Sequence, residues 1–144
     1  MGTMASEQIK RTLERMIKAS ADGELDTYYH YLAGDYIFHR APFPDVIGKD
    51  ANRRADEAFF SAFTESQMTI HQITVQNEWA YLRYTWKAQH SGFLHSLGIP
   101  PTGKTIQING CFVFRWMGDK IVEQWDYTDM LGLLQQVGVI PVLA

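Results

Sequence analysis

The chain has 144 residues, 46% of them hydrophobic and 20% charged, with eight Phe, seven Tyr and four Trp and a net charge of −3. That is too apolar for a disordered chain, and the length suffices for a core without disulfide or metal staples. Mild acidity without a basic run argues against nucleic acid or an anionic membrane as partner, and the lone Cys111 leaves no disulfide or cysteine-based zinc site within the chain.

The first residues, Met1-Gly2-Thr3-Met4-Ala5-Ser6, fit the pattern M-G-x-x-x-S of a myristoylation signal. Nothing basic or lipid-seeking follows, so residues 1–5 are read as a non-native leader and residues 6–144 as one domain. Ile9, Leu13, Met16 and Ile17 recur with helical period, which predicts an amphipathic helix capped by Ser6 and broken at Asp22-Gly23. Leu25, Tyr28, Tyr29 and Leu32 predict a shorter second helix. Asp35 to Arg40 reads as a strand, ended by Ala41-Pro42-Phe43-Pro44. After Gly48, a third helix has Ala51, Ala55, Ala58, Phe59, Ala62 and Phe63 as its apolar face.

From Met68 the period becomes two, with a change of parity that predicts a bulge near His71-Gln72. Asn77-Glu78 turns the chain into a strand from Trp79 to His90, where Ala80, Leu82, Tyr84, Trp86, Ala88 and His90 share one face. A Gly/Pro-rich loop over 91–103 leads to a strand from Lys104 to Trp116, with Ile108, Gly110, Phe112, Phe114 and Trp116 on one side. Gly118-Asp119 turns into a last strand, Lys120 to Tyr127, in which Val122, Gln124 and Asp126 share a parity. Asp129 caps a short terminal helix that Gly138 ends.

Helices first and hairpin-linked strands second is the α+β pattern. The expected form is a cone-shaped α+β barrel, a strongly bent antiparallel sheet packed on three N-terminal helices around a cavity. No apolar run approaches 18 residues and no secretion signal is visible, so a cytoplasmic protein is expected.

Four segments occur in order: His90-Ser91-Gly92; Gly98-Ile99-Pro100-Pro101-Thr102-Gly103-Lys104; Lys120-Ile121-Val122-Glu123-Gln124-Trp125-Asp126; and Gly132-Leu133-Leu134-Gln135-Gln136-Val137-Gly138. With Asp35 to Gly48, they resemble the SnoaL-like polyketide (ester) cyclase family, of the nuclear transport factor 2-like superfamily that includes ketosteroid isomerase. The resemblance spans roughly residues 6–141. It implies a cofactor-free enzyme that closes a polyketide ring by intramolecular aldol condensation, usually as a homodimer. The family's acid/base aspartate matches Asp126. The Gln and His that the polyketide cyclases place on the preceding strand correspond here to Gly110 and Phe112, so a polar partner has become a wall.

Asp126, at the end of an apolar, aromatic-lined face, is the candidate acid/base, since desolvation there disfavours the anion and raises its pKa. His39, beside the Pro turn, is the candidate assistant. Tyr36, Phe38, Trp86, Phe112 and Phe114 are expected to shape the cavity, with His90 at its mouth and Gln124 beside Asp126. The five histidines form no ligand-spaced cluster, so neither metal nor other cofactor is expected. Trp79, Tyr81, Arg83, Thr85 and Trp125 take the opposite parity and form a candidate dimer face. The favoured activity is a cyclase or isomerase acting on a hydrophobic carbonyl compound. The alternatives are an Asp-activated water that opens an epoxide, and a non-catalytic module that binds an apolar small molecule.

Overall fold

A computed structural model describes residues 5–143; the expected leader, but for Ala5, lies outside the described residues. Helix α1 (Ser6–Ala21) buries Ile9, Leu13, Met16 and Ile17, as its period requires. Ala5 takes the cap position and Ser6 is already helical, so the expected Ser6 cap does not form. Gly23, at φ 80°, ends the helix in a left-handed turn. Helix α2 (Leu25–His30) stops short of Leu32, which instead opens strand β1 (Leu32–His39) and pairs with Ile121.

Strand β2 (Val46–Ile47) has two residues, too few to show a period in sequence, and pairs with Ile37 and Phe38 of β1. Helix α3 (Lys49–Phe60) departs from the expected apolar face. Ala58 is exposed, Ala62 and Phe63 lie beyond the helix end, and Asn52 is its buried residue. The Asn52 amide donates to the carbonyls of Val46 (3.1 Å) and Gly48 (2.8 Å), which ties the helix to β2.

Strands β3 (Phe63–Gln76), β4 (Trp79–His90), β5 (Thr105–Met117) and β6 (Lys120–Thr128) follow, then helix α4 (Met130–Gln136). Asp129 caps α4 by accepting from the Gly132 amide at 2.8 Å. The curved sheet runs β2-β1-β6-β5-β4-β3, and its pairings are antiparallel except β1 with β6, which is parallel. Helix α1 packs on β3, α3 on β1 and α4 on β5. This is the α+β cone expected, closed around the inner face of the sheet. Among the described residues, no helix is long and apolar enough to cross a membrane.

Register shifts between paired strands decide which side chains face inward, and two of them bear on the expected parities. The expected bulge falls between Ile70 and Gln72. A second irregularity, between Arg115 and Trp116, sets Ile121 opposite Trp116 and buries both. Gln124 and Asp126 therefore share the inner face with Ile121, not with Val122, whose expected place on that face does not hold.

Opposite Tyr84 on the neighbouring strand stands Gly110. A β-carbon at Gly110 would fall far inside van der Waals contact with the Tyr84 ring and hydroxyl. The glycine thus leaves the space in which the phenol lies, stacked on Phe112 at 4.5 Å between ring centroids. Gly110→Ala is expected to displace the ring and destabilise the fold by about 1–3 kcal/mol, the usual cost of overpacking. Denaturant titration checks this; an unchanged midpoint would show that the ring has room to spare.

Candidate functional site

The inner face of the sheet, the last turn of α1, α2, α3 and α4 enclose a cavity of about 130 Å³. Tyr36, Phe38, Trp86, Phe112, Gln124 and Asp126 line it, and Arg40 and Phe43 lie at the same cavity. The Trp86 ring packs among Phe59, Phe60 and Phe63, and its indole N–H donates to Ser66 Oγ at 2.8 Å. Most of the wall is therefore apolar.

Asp126 lies opposite Phe112 on β5. Burial pushes its carboxyl up from the ordinary aspartate range to about 7, against a lowering hydrogen bond from Tyr84 and with a smaller push from the charge of Asp56. The Tyr84 hydroxyl donates to Asp126 Oδ1 at 2.9 Å. A carboxyl with this affinity can take and return a proton near neutral pH.

Asp56, on α3, is a second carboxyl at the cavity that sequence reasoning passed over. Burial raises it to about 6, while the Tyr29 hydroxyl, which donates to Oδ2, and the charge of Arg40 pull it down. Its signal lay in the helical period, since Asp56 follows the buried Asn52 by four residues and precedes Phe59 and Phe60 by three and four. The alanines drew the predicted face elsewhere.

Gln124 is 1% exposed, and its Oε1 accepts from both Tyr28 (2.8 Å) and Tyr36 (2.6 Å). Both phenols are held well above the usual tyrosine range, chiefly by burial, so they remain protonated donors. Tyr28, which sequence reading assigned to a helix face without a role, is thus part of the cavity wall.

Three expected site residues lie elsewhere. Tyr36 and Phe38 point inward, so alternation along β1 turns His39 to the outer face of the sheet. There His39 stacks on Trp125 at 4.9 Å, with Nε2 2.6 Å from Glu123 and Nδ1 3.1 Å from Asp45. Desolvation pulls the imidazole pKa down, but bonds to the two carboxylates outweigh it and the net shift is upward. Arg115 also pairs with Glu123, at 3.2 Å, which makes this an external ion cluster separate from the cavity. His90 faces inward but is fully buried beyond the cavity, with Nδ1 2.9 Å from Thr102 Oγ1. It anchors the 91–103 loop, whose Ser91 and Gly92 amides bond the Ala62 carbonyl. Phe114 is fully buried behind Phe112 and does not reach the cavity. Among the described residues, no three His, Cys, Asp or Glu side chains converge on a point where a metal could sit.

Residues 10–137 match the family model of the SnoaL-like polyketide cyclases. The fold is similar to that of AclR from Streptomyces galilaeus, with a TM-score of 0.86 at 23% identity over 97% of this chain and 91% of that one. It is also similar to a protein of Jannaschia sp. CCS1 classed as SnoaL-like polyketide cyclase, with a TM-score of 0.85 at 18% identity over 97% and 100%. TsrD from Streptomyces laurentii gives 0.83 at 22% identity over 95% and 99%. At these identities the solved structures establish the fold alone, and no curated protein matches the sequence. The family match covers nearly the whole sequence, and by it the chain belongs to the SnoaL-like polyketide cyclases.

Proposed function

We propose that the protein catalyses proton-transfer chemistry on a hydrophobic carbonyl compound, as a cyclase or isomerase, with Asp126 as acid and base. Family and fold support a role of the cyclase/isomerase type. The observation that carries the finer reading is a carboxyl held near neutrality at the wall of an apolar cavity, with a phenol as its hydrogen-bond donor. Ionised Asp126 removes a proton α to the carbonyl, and the resulting enolate either attacks a second carbonyl in the same molecule or is reprotonated elsewhere. No cofactor takes part in this scheme. Tyr84 is a positioning residue, since its hydrogen bond fixes the carboxylate and lowers its pKa. The flat Tyr84–Phe112 pair suits a planar, conjugated substrate.

Opening an epoxide would require further polar groups around Asp126 to hold a water. Gln124 has its carbonyl occupied by two phenols, and Tyr127 is exposed, so neither favours that reading. The outer face that carries Trp79, Tyr81, Arg83, Thr85 and Trp125 is our proposed homodimer surface, where Trp79 and Trp125 pack at 5.6 Å. Arg83→Glu is expected to convert a dimer to monomer in sedimentation analysis. An unchanged sedimentation coefficient would remove this face from consideration.

The proposed chemistry is tested by α-hydrogen exchange of 2-tetralone in D2O, followed by NMR. Asp126→Asn is expected to slow exchange by about 10²–10⁴-fold, the usual contribution of a general base. In the wild type the rate should rise with pH through about 7, as Asp126 gives up its proton. Tyr84→Phe removes a pKa-lowering bond and should move that rise to higher pH. Exchange by Asp126→Asn at the wild-type rate would sink the reading.

A further inference from the structure

Removing a proton next to a carbonyl leaves negative charge on the carbonyl oxygen, and that charge needs a donor aimed at it. Tyr84 is committed to Asp126, and Gly110 and Phe112 have no polar side chain to offer. Thr128, two residues beyond Asp126, turns its hydroxyl to Tyr84, so among the described residues of the inner wall the side chain that offers a donor beside Asp126 is Gln124.

Its amide orientation follows from the phenols that hold it. Tyr28 and Tyr36 are both buried and protonated, and each needs an acceptor for its hydroxyl hydrogen. An amide carbonyl has two lone pairs and takes both, at 2.8 and 2.6 Å. With the amide turned over, the two phenols could satisfy only one hydrogen between them, because one must accept from the other. Oε1 therefore faces the tyrosines, and among the described residues the hydrogen bonds of the Gln124 side chain are the two that Oε1 accepts, none being made by Nε2. Gln124 lines the cavity, while its residue as a whole is 99% removed from bulk solvent. An amide donor that opens on a largely apolar cavity is poorly satisfied until something there bonds it.

We infer that Gln124 Nε2 is the donor that binds the substrate's carbonyl oxygen, with Tyr28 and Tyr36 as positioning residues that hold the amide in that orientation. The substrate class is then a ketone, or another carbonyl with an acidic α-hydrogen, whose oxygen rests on Gln124 while the α-carbon lies at Asp126. The spacing fits, since residues two apart on one strand face stand about 7 Å apart along the strand. That separation accommodates an N–H···O contact, the O=C–Cα fragment, and the approach of a carboxylate oxygen to the α-hydrogen. On proton removal the C–H electron pair moves into the C–C bond and the carbonyl π pair onto oxygen. Asp126 holds the proton, and the hydrogen bond that Gln124 Nε2 donates shortens as charge collects on the enolate oxygen. Both donor and base sit on one strand, so their relative position does not depend on a mobile loop.

This inference rests on the proposed α-deprotonation for its catalytic meaning, but its binding geometry is measurable without turnover. The probe is 2-tetralone labelled with ¹³C at the carbonyl, bound at saturation and read by infrared difference spectroscopy. The carbonyl band is expected to shift to lower frequency in the wild type and in Asp126→Asn, and to lose that shift in Gln124→Met, which keeps the volume without the donor. Exchange at the α-carbon should slow about 10²-fold or more in Gln124→Met, as when one oxyanion donor is removed. If Gln124→Met does not fold, the double variant Tyr28→Phe, Tyr36→Phe frees the amide and should reduce the band shift instead. A wild-type band at its solution position overturns the inference, as does a shift that survives both sets of substitutions. A shifted band without any α-exchange would leave Gln124 as the carbonyl site and overturn the role given to Asp126.

Discussion

The constraint that organises this fold is the cost of keeping a carboxyl out of water. Asp126 would ionise near pH 3.8 if solvated, and burial raises that to about 7. Each pKa unit corresponds to about 1.4 kcal/mol, so ionised Asp126 costs the folded state a few kcal/mol. The sign follows from linkage. Between about pH 4 and 7 the native carboxyl holds a proton that the unfolded chain has released, so stability falls as pH rises through this window. Above about 7 both states are ionised and the deficit is constant. Asp56, raised to about 6, adds a contribution of the same sign over a shorter range. The surrounding core has to offset both, and it does so with a continuous layer that includes Leu13, Met16, Ile17, Leu82, Trp86, Ile108 and Leu133.

The same constraint explains why tyrosines, and not cations, hydrogen-bond the carboxyls of the cavity. A cation beside Asp126 would return its pKa to the ordinary range and remove its affinity for a proton near neutrality. A phenol donates one hydrogen bond without a counter-charge and stays protonated when buried. Tyr84 serves Asp126, Tyr29 serves Asp56, and Tyr28 and Tyr36 serve Gln124. Among the described residues, the one cation at the cavity, Arg40, lies over the Phe43 ring and acts on Asp56, not on Asp126. The charged cluster of His39, Asp45, Arg115 and Glu123 is kept on the opposite face of the sheet, where solvent reaches it.

Period two made the sheet legible, because every strand with one buried face must alternate. The bounds of β4, the bulge after Ile70, and the inward set Tyr84, Trp86, Gln124 and Asp126 could all be read that way. Where reading failed, an interaction distant in sequence overrode a local pattern. Leu32 leaves the helical pattern because it pairs with Ile121 across 89 positions of chain. His39 was grouped with the pocket for its chemistry, although the parity of Tyr36 and Phe38 already turned it outward. Asp56 was hidden by the alanines around it, since α3 presents a polar residue, Asn52, to the interior. The Tyr84–Asp126 bond was beyond sequence reading for a different reason. It depends on an absent side chain at Gly110, two strands being needed to show what the gap is for.

Gly110 and Phe112 also change the meaning of the departure from the family's pattern. As isolated letters they read as lost donors. In the fold, Gly110 admits the Tyr84 phenol to the side of Asp126, and Phe112 supports the ring from below at 4.5 Å. A donor from β4 thus reaches across β5 to the carboxylate on β6. The exchange is not neutral for a substrate. Polar side chains on β5 would meet it as hydrogen-bond partners, whereas the stacked pair meets it as a flat apolar surface. Under the proposed chemistry, selectivity would rest on shape against the Tyr84–Phe112 wall, and the polar contact would come from β6. That is the strand on which Gln124 and Asp126 stand two residues apart, so the departure on β5 and the arrangement on β6 are two parts of one physical solution.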